Sequence, residues 1–161
     1  VRYLVRDRMF AFHEEAWIET EHREKVLRVN KKLLRLRNTF HFVDTQGTVV
    51  ASIVRKAWTF HHTILIKQDG RKVAKVSRKV FKLFGDRFKV KLADGRRLKI
   101  VGNLWDREFD IQERGSTLAH ISRRLFSIRD AYSVDVLVPA ETTLLLVLAV
   151  CVDHVLHEQR D

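Results

Sequence analysis

The stretch Glu141-Thr142-Thr143-Leu144-Leu145-Leu146-Val147-Leu148-Ala149-Val150-Cys151-Val152-Asp153-His154-Val155-Leu156-His157 decides the fold. From Leu144 to Val152 it is apolar without a break, so a helix formed here is apolar on every side. Such a helix must be buried all round. The run is shorter than the roughly 20 residues of a membrane-spanning helix, so no transmembrane segment is expected. Pro139, Glu141 and Thr142 read as a helix start, and His154, His157 and Arg160 suit the negative end of its dipole. The helix is expected over about 141–157, and the rest of the chain must shelter it.

Working outward, the preceding residues repeat. Val26-Leu27-Arg28-Val29-Asn30-Lys31-Lys32-Leu33-Leu34 matches Val50-Ala51-Ser52-Ile53-Val54-Arg55-Lys56-Ala57-Trp58. The same pattern returns in Val73-Ala74-Lys75-Val76-Ser77-Arg78-Lys79-Val80-Phe81 and in Leu118-Ala119-His120-Ile121-Ser122-Arg123-Arg124-Leu125-Phe126. Each copy alternates as a strand does, continues into a basic pair and ends in a bulky residue. A degenerate copy, Leu98-Lys99-Ile100-Val101-Gly102-Asn103-Leu104-Trp105, has Gly102-Asn103 in place of the basic pair. Between copies lie second strands at Thr39–Val43, Thr63–Lys67, Arg87–Leu92, Glu108–Gln112 and Tyr132–Val136. Gln46-Gly47, Asp69-Gly70, Asp94-Gly95 and Arg114-Gly115 supply turns.

With Arg2–Arg6 and Ala16–Thr20, about twelve mostly antiparallel strands result, which suits a sandwich or a barrel. The helix discriminates between them, because only the lumen of a large barrel shelters an all-apolar rod. The expected fold is therefore mainly β: a closed barrel, strands about 2–138, around a central hydrophobic C-terminal helix. The whole of 1–161 reads as one domain. Ala51, Ala74 and Ala119 recur at one position on the face shared with Ile53, Val76 and Ile121, where small side chains would leave room for the helix.

Composition bears on partners. With 31 Lys and Arg against 20 Asp and Glu, the net charge is +11 and the pI about 10.2. Anionic membrane, an acidic protein and nucleic acid are the partner classes that follow. If consecutive strands alternate in direction, the pairs Lys31/Lys32, Arg55/Lys56, Arg78/Lys79 and Arg123/Arg124 collect at one rim. Leu34, Trp58, Phe81, Trp105 and Phe126 accompany them. Cations interleaved with aromatics suit a membrane interface carrying anionic lipid. Rings that plug the barrel end and cations that guard strand edges are the plainer alternative. Nucleic acid is less favoured, since the charges recur around a rim instead of clustering on one helix or groove.

Chemistry is sparse. Lone Cys151 excludes an internal disulfide and a multi-cysteine zinc site, and inside the apolar run it reads as a small buried hydrophobe. His61 and His62 are strand neighbours on opposite faces. Asp153 and His157 approach on a helix as a weak metal pair, equally explained by a polar helix end. Asp7 with Glu14, Glu15 or Glu19 offers carboxylates that surface charge explains as well. There is no glycine-rich phosphate loop and no serine elbow, so no catalytic residue, cofactor or metal is expected and the chain reads as non-enzymatic. Val1 to Arg8 lacks the apolar core of a signal peptide. A cytoplasmic setting, peripheral at the inner face of the plasma membrane, is the expected location.

The opening Arg2-Tyr3-Leu4-Val5-Arg6, the repeated basic pair before a bulky residue, and Gly102-Asn103-Leu104-Trp105-Asp106 ahead of the apolar helix together resemble the LURP-one-related family. That family is grouped with the tubby C-terminal domain and the phospholipid scramblases. The resemblance implies a twelve-stranded barrel around a central helix. Tubby domains bind phosphoinositides and scramblases are membrane-associated, so it implies anionic phospholipid or phosphoinositide as a ligand. No tubby lipid-binding residue maps onto this chain, and the scramblase cysteine-rich stretch has no counterpart.

Overall fold

The computed structural model describes residues 1–6, 16–34, 37–55, 63–81, 85–103, 108–122 and 131–157. Within these, the side chains of 6, 31–34, 37, 38, 79–81, 85–87, 103 and 157 lie outside the described set. The strands are β1 Arg2–Arg6, β2 Ala16–Thr20, β3 Lys25–Leu34, β4 Arg37–Val43, β5 Val49–Arg55 and β6 Thr63–Gln68. They continue with β7 Arg71–Phe81, β8 Gly85–Leu92, β9 Arg97–Asn103, β10 Glu108–Glu113, β11 Ser116–Ser122 and β12 Ala131–Val136. A 3-10 turn, Pro139–Glu141, leads into the helix α1, Thr142–His157.

Each strand pairs antiparallel with its sequence neighbour, and β1 closes on β12. Closure removes every sheet edge. Alternation builds the wall: Leu27 and Val29, Phe40 and Phe42, Ile64 and Ile66, Phe88 and Val90, Leu98 and Ile100, Phe109 and Ile111 all point inward and are buried. The residues between them face out, as a two-residue period requires.

Every residue of α1 from Leu145 to Val155 is buried. Together with the turn before it, α1 has the length and hydropathy of a membrane-crossing helix. Here the barrel wall takes up that apolar surface. The helix approaches β5 on one side and β11 and β12 on the other most closely. Strands β5 and β11 are diametrically opposed in the ring. Ala51 on β5 and Ala119 on β11 are 1% and 0% exposed, so small side chains flank the helix where the wall comes nearest. The clearance expected of the alanines holds for these two, whereas Ala74 lies on β7, which is not among the nearest strands.

The two ends of the barrel differ. At one end the hairpins close tightly, and Asp69-Gly70 and Arg114-Gly115 both take positive φ at their two turn residues, the geometry that matches strand twist. Asp44 Oδ1 accepts from the backbone N–H groups of Gln46 and Thr48 and so builds the β4–β5 turn. The β2–β3 turn uses Arg23 at φ 64° without a glycine, and nothing in the sequence flags it. Helix α1 starts at this turn end and runs toward the other, where the connections after β1, β3, β5, β7, β9 and β11 lie outside the described residues.

The degenerate repeat has a physical reason. Gly102 pairs across the sheet with Phe109, and a Cβ on Gly102 would run into that ring and the Glu108 carbonyl. A glycine lets the phenylalanine lie over the neighbouring strand. Gly102→Ala is expected to cost about 1–3 kcal/mol, the usual range for overpacking, in a urea melt. Truncation before Glu141 is expected to abolish the cooperative melt, because the lumen loses its filling; a truncated chain that melts sharply would contradict the wall-and-rod account.

Candidate functional site

The antiparallel order brings the C-terminal ends of β3, β5, β7 and β11 to the same end of the barrel. Lys31 and Lys32 stand in β3 opposite Phe40 and Thr39. Arg55 closes β5 opposite Ile64. Arg78 and Lys79 stand in β7 opposite Phe88 and Arg87, and Phe81 ends that strand. The side chains of Lys31, Lys32, Lys79 and Phe81, and residues Lys56, Trp58, Arg123 and Arg124 as a whole, lie outside the described set.

Arg78 departs from the surface position expected of it. It follows Ala74 and Val76 in the inward alternation and is only 6% exposed. Its guanidinium carbon lies 5.9 Å from the centroid of the Phe88 ring. A cation over an aromatic face is worth about 0.5–2 kcal/mol, more as water is excluded. Helix α1 runs toward this end, so its partial negative charge and the buried Asp153 lie at the end of the barrel where β7 carries Arg78. Arg55, two residues beyond inward-facing Ile53, is half-buried. His154 is also enclosed, its ring edge-on to Phe40 with centroids 4.8 Å apart.

A second concentration of charge was missed by reading the basic pairs alone. On the outer face of β6 to β9, Lys72, Lys75, Lys89, Lys91, Arg97 and Lys99 are exposed and Lys67 is half-buried, with Arg71 exposed where β7 begins. Register sets like charges side by side: Lys67 with Lys72, Lys75 with Lys91, and Lys91 with Arg97 and Lys89 with Lys99. Among the described residues, none of Lys67, Arg71, Lys72, Lys75, Lys91, Arg97 or Lys99 enters an ion pair. Facing like charges destabilise a sheet. The signal was present in the sequence as lysines and arginines two residues apart, but only pairing of the strands sums them into one surface.

On β1 and from β10 to β12, acidic side chains stand beside basic ones. Arg2 Nε and a terminal guanidinium nitrogen donate to the two oxygens of Asp135 at 2.6 and 3.0 Å. The hydrogen bond and charge of Arg2 hold the Asp135 carboxyl below the usual range, against partial desolvation. His120 Nδ1 lies 2.6 Å from Asp110 Oδ1 on the neighbouring strand. At the turn end, Arg96 reaches Glu113 with two bonds of 2.8 Å and Glu141 at 2.8 Å. Hydrogen bonding to both carboxylates raises the Arg96 pKa further above its ordinary value, and the bond from Arg96 lowers that of Glu113. One guanidinium thus fastens the entry of α1 to β10. Burial alone pushes the Cys151 thiol up, which leaves it a poor nucleophile.

A sequence model of the LURP-one-related family matches residues 1–153. The uncharacterized protein YxjI of Bacillus subtilis strain 168 is 21% identical over 161 residues, covering 100% of this chain and 97% of that protein.

Because Lys91 faces a cation on each side, Lys91→Glu is expected to raise stability by about 0.2–1 kcal/mol, the usual worth of a cross-strand pair. A thermal melt at low and high salt checks this; the gain should shrink as salt screens it.

Proposed function

Because the chain belongs to the LURP-one-related family, we propose that it is a non-enzymatic binding module whose basic-pair end docks on anionic phospholipid or phosphoinositide. The lumen, where many barrels hold a small ligand, is filled by α1. Recognition is left to the outer surface.

The observation that carries the reading is the contrast between the ends of the barrel. The connections at the turn end, such as Asp44–Thr48, Asp69-Gly70 and Arg114-Gly115, are short and have no aromatic residue. The connections that join strands at the other end carry Phe10, Phe12, Trp58, Phe60, Phe84, Trp105 and Phe126 in their sequence, with Lys56, Lys82, Arg123 and Arg124 among them. Aromatic rings with lysine and arginine are the composition of a membrane interface. Near an anionic surface each basic side chain contributes on the order of 1 kcal/mol. Lys31, Lys32, Lys56, Lys79, Arg123 and Arg124 are the cations this reading assigns to the contact, together with Arg55, Trp58 and Phe81. Arg78 is left to the interior. The inner leaflet of the plasma membrane, which carries most anionic lipid, is the setting this reading implies.

Co-sedimentation with phosphatidylserine vesicles at low salt is expected to exceed that with phosphatidylcholine vesicles. Lys56→Glu combined with Arg124→Glu should weaken the anionic arm at least tenfold. Equal recovery on both vesicle types would end the proposal.

A further inference from the structure

We propose that the outer face of β6 to β9 is a second docking surface, for an acidic polypeptide segment that carries one apolar side chain into the adjoining cavity at the turn end. This does not rest on the lipid contact, because the row Lys75, Lys91 and Arg97 stands toward the turn end. Lys75 stands four residues before Lys79 on β7. That separation is about 13 Å along the strand and on the order of 10 Å along the barrel axis for a usual strand tilt. The Debye length is about 8 Å at physiological salt. A bilayer held at the basic-pair end therefore leaves the row Lys75, Lys91 and Arg97 unanswered.

The face itself selects among polyanions. Lys75, Lys91 and Arg97 form a row across three strands, and Lys89 and Lys99 form a second. Apart from Asp86, whose side chain lies outside the described set, β6 to β9 contain no acidic residue. Among the described residues the outer face of these strands also presents no aromatic ring, so a single strand of nucleic acid finds nothing to stack on. The wall is convex and closed, which rules out added strand pairing. A flexible segment can follow that curve, with acidic side chains on one face spaced as the lysines are.

The cavity adds the second feature. It measures about 560 Å³ and is lined by Val73, Leu92, Ala93, Pro139, Thr142 and Leu144, among others. Val73, Leu92 and Arg96 of the lining directly follow or precede Lys72, Lys91 and Arg97 in the chain. Two acidic residues also line it, and both are occupied: Asp94 Oδ1 accepts from the Arg96 backbone N–H at 2.9 Å, and Glu141 pairs with the Arg96 guanidinium. The apolar part of the lining, Val73, Leu92, Ala93, Pro139 and Leu144, lies beside a cationic face and matches an anchor residue set in acidic flanks, the usual division between a buried anchor and a charged rim.

The test is fluorescence anisotropy with three probes of equal charge: an Asp/Glu peptide with a central Leu, the same peptide with Gly at that place, and a single-stranded oligothymidylate. The Leu peptide should bind at least tenfold tighter than either of the others. Lys91→Glu with Arg97→Glu should weaken it at least tenfold while phosphatidylserine vesicle binding stays unchanged. Ala93→Trp, which fills the cavity from an exposed position, should bring the Leu peptide down to the level of the Gly peptide. If the charge-reversed chain melts early, Lys91→Gln with Arg97→Gln should give the same order with a smaller loss. The proposal is overturned if oligothymidylate binds as tightly as the Leu peptide, if these substitutions leave peptide binding unchanged, or if they remove vesicle binding instead.

Discussion

The burial of an all-apolar helix inside a closed sheet is the constraint on which everything else in this protein depends. Leu145 to Val155 turn no face to water, so the helix needs a wall on all sides and the wall needs a filling. Neither half is stable alone: a twelve-stranded ring without side chains at its centre would be hollow, and the helix without the ring would aggregate. Local choices follow from this mutual need. Bulky residues point inward around most of the ring, while Ala51 and Ala119 stand where the wall comes nearest to the helix. Gly102 yields space to Phe109.

Filling the lumen also leaves the rims and the outer face as the exposed surfaces. A barrel with a packed centre meets partners through its rims and its outer face, and here those surfaces are electrically unequal. Between β10 and β1, acids and bases answer each other in Arg2–Asp135 and His120–Asp110. From β6 to β9, Lys67 faces Lys72, Lys91 faces Lys75 and Arg97, and Lys89 faces Lys99. Such a surface costs stability in the free protein, and a bound polyanion would offset that cost. Arg96 stands at the border, tying the helix entry to β10 through two carboxylates, so the cavity beside the cationic face has one wall made by the helix itself.

The fold was legible because period and hydrophobicity are local properties. Alternation in Val73-Ala74-Lys75-Val76 and the glycines at 70 and 115 are visible to any reader of the chain, and the strand bounds agree closely with those expected. Arg78 was misplaced for an equally plain reason. A basic pair in sequence suggests two surface charges, but neighbours in a strand face opposite ways, and Arg78 is turned inward. The face on β6 to β9 went unread because its members lie in four strands, and their sum exists only once the strands are paired.

Strand period, turn chemistry and an uninterrupted apolar run are enough to read a hairpin repeat closing around a greasy C-terminal rod. Tertiary structure alone decided which cations share a surface, which one is drawn inside over a phenylalanine, and where a cavity opens between helix and wall. Those are matters of register and of what lies across a strand, and no linear reading contains them.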